Sequence, residues 1–247
     1  SSADPNFQNL PRGDEGKAHQ SMVKEHFTSR FTDGRIVEVD YTALEVVTGA
    51  AITNDKALLN NLLAGTDMHL LRLSGKLKRS YDELKAIYKD KTHPEHSYIK
   101  QERTYIKPPS FAAQYGASAR GISFATGVSV EFAEWFLANE AELFPTFIGY
   151  RDTVRSMVEA TGLESPMRRE LYDDGSYGLY RQGYFEAKGG TRYAFRQHSQ
   201  WKAGQQVLDY KDTEIANYWC QGEASFIVQV SCGLVINWLI ANDFFGG

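Results

Sequence analysis

Four residues with one repeated spacing constrain the fold of this chain more than any other feature. In the run QERTYIKPPSFAAQYG, intervals of four separate Arg103, Lys107, Phe111 and Tyr115. Residues four apart lie on nearly the same face of an α-helix, one turn above another. Such a face could hold a polyphosphate with its cations and stack on a base or sugar with its rings. The alternative is an amphipathic helix with two core aromatics and two solvated cations.

Two prolines interrupt this run directly after Lys107, at Pro108 and Pro109. Proline lacks a backbone N–H, clashes with the preceding turn of a helix, and disfavours α geometry in the residue before it. Two interpretations follow. Either one helix is kinked at the prolines, or a helix begins at Pro108 and leaves Arg103 and Lys107 on a preceding turn.

Bulk composition excludes little. The chain has 247 residues, 42% of them hydrophobic, and a net charge of −4, so a nucleic-acid partner would need a local basic surface. Cys220 and Cys232 lie in one predicted helix, too far apart for a disulfide, which predicts a reducing, cytoplasmic compartment. No uncharged run of about 18 apolar residues is seen, so no membrane partner is expected. Both ends of the chain suggest an internal piece of a longer protein.

Local patterns predict a mixture of helices and strands. The alternation in RIVEVDY (35–41) predicts a strand that ends at Asp40, followed by a helix in TALEVVTGAAI. Asn54 is the expected N-cap of the next helix, which should stop at Gly65. A Lys-rich stretch at 76–100 predicts a helix, a loop and a solvated face.

The second half of the chain carries clearer signals. One helix should end before Pro145, and the following helix should close at Gly162. GYFEAKGGTRYAF predicts a hairpin with a Gly-Gly turn. The end of the chain, from Asp212 onward, predicts a long and largely buried helix, with a break near Gly222 as an alternative to a continuous helix.

Individual polar residues give only weak indications of chemistry. Asp40, at a strand end, is a natural Mg²⁺ ligand, although an aspartate there is more often a helix cap. Asp67 could cap a helix beside a phosphate-facing His69, or both could belong to a surface turn. His93 and His96 have a spacing usable for metal, but they flank a proline in a polar loop and are poor candidates.

Taken in order, four motifs resemble successive signatures of the family A DNA polymerases: DYTALE (40–45), DMH (67–69), RTYIKPPSFAAQYG (103–116) and NYWCQG (217–222). The opening SSADPNFQNLPR is similar to the segment upstream of the first. The resemblance covers roughly residues 1–66, 101–162 and 186–247. It implies an α+β fold in which a partial palm with an antiparallel sheet (1–66 and 186–247) receives an inserted helical fingers subdomain (67–185).

The resemblance also implies roles at the reacting end of a nucleotide. Asp40 would bind both of two Mg²⁺ ions, helped by the carbonyl of Tyr41. Glu45 would be a steric gate that excludes a ribose 2′-hydroxyl. Three residues would grip the triphosphate of an incoming dNTP, with Lys107 as a candidate proton donor: His69, Arg103 and Lys107.

Further positions would contact the base and the nucleic acid. Phe111 would pack on the sugar and base of the nucleotide, and its lack of a hydroxyl should favour rejection of dideoxynucleotides. Tyr115 would stack at the insertion site. Amide side chains would lie along the primer-template DNA, at Asn6, Gln8, Asn9, Asn217 and Gln221. Arg12 would contact the template backbone.

The sequence departs from the family in three respects. The prolines follow Lys107 directly, the segments at 76–100 and 165–185 are longer than the usual connections, and the last catalytic motif with the second metal-binding carboxylate is not present. We therefore expect this piece alone not to polymerise. The unusual fingers favour a phage or viral source, and replication accessory proteins are possible partners.

Two rival interpretations were weighed. One is a relative of single-subunit RNA polymerases or reverse transcriptases, against which Glu45 argues because a ribonucleotide enzyme needs room for the 2′-hydroxyl. The other is a non-catalytic module that binds primer-template DNA in a salt-dependent way but gains nothing from the matching nucleotide.

Overall fold

Residues 26–36, 39–171, 174–202 and 204–244 are described by the structure, a computed structural model. Two compact units divide the chain, at residues 1–42 and 43–247. In the described part of the first unit a turn is closed by a hydrogen bond from the Gly34 N–H to the Phe31 carbonyl, 3.0 Å long. The domain boundaries predicted from the sequence stay a prediction.

The strand expected at 35–41 is absent from the described residues of that segment, which are Arg35, Ile36, Val39, Asp40 and Tyr41. This prediction is wrong there. Alternation describes a pleated pattern, but a strand exists only where a neighbour satisfies its backbone groups, and the sheets of the described structure contain only later strands.

The second unit consists of helices and antiparallel sheet, which confirms a mixed helix and sheet fold. Its helices are α1 (Leu44–Thr53), α2 (Lys56–Leu63), α3 (Met68–Leu77), α4 (Tyr81–Lys89), α5 (His96–Gln114), α6 (Ala119–Thr126), α7 (Val130–Leu143), α8 (Pro145–Glu164) and α9 (Asp212–Ala241). Its strands are β1 (Arg168–Leu171), β2 (Tyr177–Tyr180), β3 (Gln182–Glu186), β4 (Arg192–Lys202) and β5 (Gln205–Tyr210).

Two apolar cores hold these elements together. One lies within α3 to α7 and is formed by Leu70, Leu73, Leu84, Ile87, Ile99, Ile106, Ala113, Ile122, Val128, Ala133 and Phe136. The other joins α1, α2, α8, the sheet and α9, and its members include Phe147, Val154, Phe185, Phe195, Tyr210, Ile215 and Trp219. Helix α5 belongs to the first core, and its C-terminal end leads toward the second.

The sheet confirms the predicted hairpin and extends it. Strands β3 and β4 pair antiparallel with Gln182 opposite Arg196, across a turn in which Gly190 has φ +83°. Strand β5, which the sequence did not indicate, pairs with β4. The segment at 165–185 contains a second hairpin, β1–β2, which was also missed.

Several helix ends differ from expectation. Asp55, not Asn54, caps α2, because its carboxylate accepts the Leu58 N–H at 2.9 Å while Asn54 ends α1 in the left-handed region. Helix α8 continues past Gly162 to Glu164. Gly162 serves close packing instead: a Cβ there would lie 1.9 Å from the Tyr210 hydroxyl oxygen.

Helix α5 runs without a break through Pro108 and Pro109, so the alternative in which a helix begins at Pro108 is wrong. The prolines cannot donate to the carbonyls one turn back. Tertiary packing stabilises the helix at this point, since Pro109 and Ser110 are buried. The Ser110 hydroxyl also donates to the Ile106 carbonyl, at 2.8 Å.

Helix α9 is continuous through Gly222, where a Cβ would lie 2.2 Å from the Tyr193 ring, so the predicted break is wrong. The expected burial is also wrong for its second half. Large side chains there are exposed, among them Phe226, Leu234, Val235, Trp238 and Ile240. Apolar character predicts burial only if a neighbouring element covers the helix, and no described element does so.

The same helix bears on the expectation that no membrane partner exists. Among the described residues, α9 alone is long and apolar enough to cross a membrane by length and composition, with a mean hydropathy of 1.8 over its most apolar window. Core helices of larger proteins also meet this test. The N-terminal half of α9 packs in a core through Ile215, Trp219 and Cys220.

Candidate nucleotide-binding site

We call Arg103, Lys107, Phe111 and Tyr115 the α5 file. The cationic end of this file, at Arg103, contacts the N-terminus of α3. Asp67 caps α3 by accepting the backbone N–H groups of His69 and Leu70 at 3.0 and 3.1 Å. Its other carboxylate oxygen accepts Nε of Arg103 at 2.8 Å. The open choice between a cap and a surface turn is thus decided for Asp67, which caps the helix and holds the first cation of α5.

Arg103 keeps most of its hydrogen-bonding capacity for another partner. Its guanidinium lies 5.1 Å from the centre of the Tyr88 ring, at a distance typical of an arginine over an aromatic face. Only Nε is hydrogen-bonded to a described residue. The terminal nitrogens Nη1 and Nη2 remain as donors of the kind that suit a phosphate.

His69 lies between the cations and the first aromatic residue of the α5 file. Its ring and that of Phe111 meet edge to face, with centroids 6.2 Å apart. The pKa of His69 is lowered to about 4, first by burial and then by the positive charges of Arg72, Arg103 and Lys107, while Asp67 opposes them. The imidazole is therefore neutral at physiological pH and acts through hydrogen bonds rather than charge.

The electrostatics of His69 also show that several cations converge on it. Arg72, Arg103 and Lys107 come from two helices, and each disfavours a proton on the same ring. The ring nitrogen Nδ1 is buried without a hydrogen-bond partner among the described residues. A buried polar atom without a partner is costly. The arrangement therefore provides positive potential together with an unused polar atom.

The aromatic end of the file is held in a different way. Phe111 is 53% exposed, so its ring face is open for stacking. The Tyr115 hydroxyl donates to one carboxylate oxygen of Glu45 at 3.1 Å, and burial raises the pKa of Tyr115. Nε2 of Gln221 donates to the other oxygen at 3.2 Å. Glu45 thereby joins α1, the end of α5 and α9.

Gly116 follows Tyr115, the C-cap residue of α5, and determines that the helix ends there. Its φ of +74° is in the left-handed region, and a Cβ there would lie 2.5 Å from Cβ of Ala216. Only glycine allows both this conformation and this approach. Asn217 lies one helical turn before Gln221 on α9, so the two predicted DNA-contacting amides that the structure describes share a face of that helix.

Other predicted residues belong to other parts of the chain. Asp40 and Tyr41 lie in the first unit, where Asp40 is exposed. Asn6, Gln8, Asn9 and Arg12 lie outside the described residues. His93 and His96 sit at the loop before α5 and the start of that helix, where Nδ1 of His93 accepts a backbone N–H and His96 stacks on Tyr88.

Three residues near the site were missed from the sequence. Tyr88 supports Arg103, and Arg72 lowers the pKa of His69. Arg72 stands three residues after His69 on one helix face, a spacing that could have revealed it. Arg151 contacts the end of α5 from α8. That contact joins residues 38 positions apart, and no local pattern indicates it.

Taken together, these residues define a site with the layout of a nucleotide-binding face, with cations at one end and rings at the other. The comparison with known proteins is more specific. The model of a family described as DNA polymerase family A matches residues 1–243. The chain therefore belongs to DNA polymerase family A. The alternative of an RNA polymerase or reverse transcriptase relative is not supported.

Three of the similar proteins are bacterial DNA polymerases I. The chain is 28% identical over 193 residues to DNA polymerase I of Streptococcus pneumoniae serotype 4, covering 75% of this chain and 20% of the relative. DNA polymerase I of Mycobacterium bovis is 28% identical over 162 residues, covering 64% of this chain and 15% of the relative. DNA polymerase I of Helicobacter pylori strain 26695 is 24% identical, covering 76% and 19%. The chain thus spans a fifth or less of these relatives.

Among solved structures, the chain is similar to the POL domain of Pol1 from M. smegmatis in complex with DNA primer-template and dNTP. The match has a TM-score of 0.35 and 22% identity, and it covers 56% of this chain and 21% of that chain. The family assignment therefore rests on the sequence comparison.

Proposed function

We propose that this chain supplies the nucleotide-binding part of a DNA-directed DNA polymerase that adds dNTPs to a primer 3′ end. The observation that carries the proposal is that Arg103 and Lys107, in the middle of α5, act on the neutral His69 of α3. The C-terminal end of α5 presents Phe111 and Tyr115. Family membership supports the reaction. The substrates, dNTP and primer-template DNA, are part of the proposal.

The residues would divide the work along α5. Arg103 would hold phosphate oxygens through its terminal nitrogens, and Lys107 would add a point charge. His69, being neutral, would donate a hydrogen bond without adding charge. In a phosphoryl transfer most of the protein's contribution is positioning and electrostatic stabilisation, and these three side chains provide both. Lys107 would also give a proton to the departing pyrophosphate.

The other end of the face would receive the nucleoside. Phe111 would stack on the sugar and base, and Tyr115 would pack at the insertion site. Glu45 would lie beneath the sugar and exclude a ribose 2′-hydroxyl. Its position is supported by hydrogen bonds from Tyr115 and Gln221, which hold the carboxylate at both oxygens. Asn217 and Gln221 would contact the primer-template from α9.

Mg²⁺ is part of the proposal, with two ions expected in the complete enzyme. The described residues include no group of three or more His, Cys, Asp or Glu side chains that could hold a metal ion. Mg²⁺ is usually held by one or two carboxylates together with substrate phosphates and water. Asp40 and the Tyr41 carbonyl would therefore hold Mg²⁺ together with substrate phosphates and water. Bound metal would neutralise the charge of the reacting phosphates.

Two further predictions stay proposals. We propose that the protein acts in the cytoplasm with replication accessory proteins as partners, and that the longer segments at 76–100 and 165–185 are surface insertions. A phage or viral source stays a prediction, while the relatives named above are bacterial. The division into palm and fingers is likewise proposed.

Calorimetric titration of this chain with dATP tests the proposal. Arg103→Met and Lys107→Met should each weaken binding about tenfold, since each removes a charge-assisted contact of roughly 1.5 kcal/mol or more. The matched control is Arg79→Met, because Arg79 is paired with Glu83 and Glu95 away from α5's cationic face. If dATP does not bind, or binds both site variants as tightly as the parent chain, the proposal is wrong.

A further inference from the structure

Arg151, on α8, is bound to the end of α5. Its Nη2 donates to the carbonyls of Ala113 and Gln114 at 2.9 and 3.0 Å. These are the last two residues of α5. The final carbonyls of a helix have no partner within the helix and carry its negative partial charge. Arg151 therefore both satisfies and neutralises the end of α5 that precedes Tyr115.

The surroundings of Arg151 are not those of an ordinary ion pair. Burial lowers its pKa, while Glu140 and Asp152 act in the opposite direction from a distance. No carboxylate in the described part of the chain forms an ion pair with it. Desolvating a guanidinium is costly unless hydrogen bonds compensate. The two helix-end carbonyls provide that compensation at Nη2, while Nε is buried without a hydrogen-bond partner among the described residues. The contact therefore depends on where α5 ends.

Arg155, one turn further along α8, provides a contrast. Its guanidinium pairs with the carboxylates of Glu159, Asp209 and Asp212. Those contacts join α8 to its own next turn, to the sheet and to the start of α9, and none of them involves α5. The two arginines thus lie on the same helix and carry the same functional group, but they bind different elements.

The segment that Arg151 holds is confined from a second side. Gly116 packs against α9, with Cβ of Ala216 2.5 Å from the position of an added Cβ. The Tyr115 hydroxyl reaches Glu45 on α1 at 3.1 Å. Tyr115 is therefore the residue whose place is set jointly by α8, α9 and α1.

We propose that Arg151 is a positioning residue for Tyr115. By binding the last two carbonyls of α5 it fixes the position of the helix C-terminus. It thereby keeps the Tyr115 hydroxyl within hydrogen-bond distance of Glu45. That Tyr115 serves the insertion site rests on the proposed function. The position of Tyr115 itself does not, and the two can be tested separately.

The test places 3-fluorotyrosine at position 115 and records its ¹⁹F resonance in this chain. Glu45→Gln calibrates the signal, because it changes the group that accepts the hydroxyl. In Arg151→Met the resonance should move and should lose its response to Glu45→Gln. Arg151→Lys keeps a cation without the planar fork, and should give an intermediate shift. The control Arg155→Met should leave the resonance in place.

The same variants are titrated with dATP, where Arg151→Met should bind about tenfold more weakly and Arg155→Met as the parent does. A folded Arg151→Met chain with an unmoved resonance overturns the inference, as does an equal shift in Arg155→Met. If Arg151→Met does not fold, Arg151→Lys decides by the same criterion. Failure of the parent chain to bind dATP refutes the proposed function, while the ¹⁹F result still decides what Arg151 does.

Discussion

Two arginine–carboxylate pairs lie close to His69, and they differ in what they can do. Arg72 and Glu140 join α3 to α7 through two hydrogen bonds, Nε to Oε1 at 2.6 Å and Nη2 to Oε2 at 2.9 Å, with side chains 11% and 7% exposed. Arg103 and Asp67 join α5 to α3 through one bond, with side chains 18% and 25% exposed.

The difference separates a structural pair from one that can exchange partners. The first binds both carboxylate oxygens of Glu140 through Nε and Nη2 of Arg72 and is shielded from water, so breaking it leaves a buried charge. The second uses one nitrogen and leaves the others unengaged, so an incoming phosphate can add to it or replace Asp67. The Arg72–Glu140 pair stabilises the packing of α3, the helix that carries His69, against α7. The Arg103–Asp67 pair lies on the proposed binding face.

The largest effect is expected at the buried pair. Glu140→Leu leaves the Arg72 guanidinium without its partner and should reduce the free energy of unfolding by about 3–5 kcal/mol. Urea denaturation followed by circular dichroism measures this. The double variant Arg72→Met with Glu140→Leu should recover much of the loss. A single variant as stable as the parent would show that the pair is not structural.

A smaller effect is expected from the protonation of His69. Its folded pKa of about 4 lies below the ordinary value of 6.5, so only the unfolded chain gains a proton as pH falls from about 6.5 toward 4. The contribution of His69 to the free energy of unfolding should therefore be fully present above pH 6.5 and decrease as the pH falls from about 6.5 toward 4. The decrease is measured against His69→Gln, which cannot titrate. Parallel pH curves for the two proteins would contradict the neutral assignment.

A substitution in the Arg103–Asp67 pair should change ligand affinity rather than stability. Asp67→Asn keeps an oxygen that can cap α3, but it removes the charge that holds Arg103 and repels phosphate. Binding of dATP should become severalfold tighter, with stability within about 1 kcal/mol of the parent. Calorimetric titration gives the affinity. Weaker binding would mean that Asp67 orients Arg103 rather than competing for it.

The smallest effect concerns the prolines of α5. Because the helix is continuous through them, Pro108→Ala at the exposed position should restore one backbone donor with little repacking, whereas Pro109 is buried. We expect the substitution to alter dATP affinity by shifting Lys107 relative to Arg103. Unchanged affinity would show that the cationic end is set by packing alone.

The face on α5 could be predicted because it depends on spacing within one helix. Its four residues are ordered along the chain, and the helix that carries them forms once packing offsets the two prolines. The helices α1 and α7 and the β3–β4 hairpin were predicted for the same local reasons. Site roles carried over by resemblance stay predictions.

What failed depends on partners distant in sequence. The strand at 35–41 needed a neighbouring strand, and the second half of α9 needed an element to cover it. The contacts of Arg72 with Glu140 and of Arg151 with α5 join residues 68 and 38 positions apart. Charged and apolar residues indicate that such partners are required, but spacing along one segment does not say which they are.

The central claim is that the file of Arg103, Lys107, Phe111 and Tyr115 on α5 binds a triphosphate at its cationic end and a nucleoside at its aromatic end. The most direct test is calorimetric titration of the chain with dATP, dADP, dAMP and inorganic tripolyphosphate. Affinity should fall with each phosphate removed, and tripolyphosphate should compete with dATP but not in Arg103→Met. Equal affinity for dAMP and dATP, or no competition by tripolyphosphate, would contradict the claim.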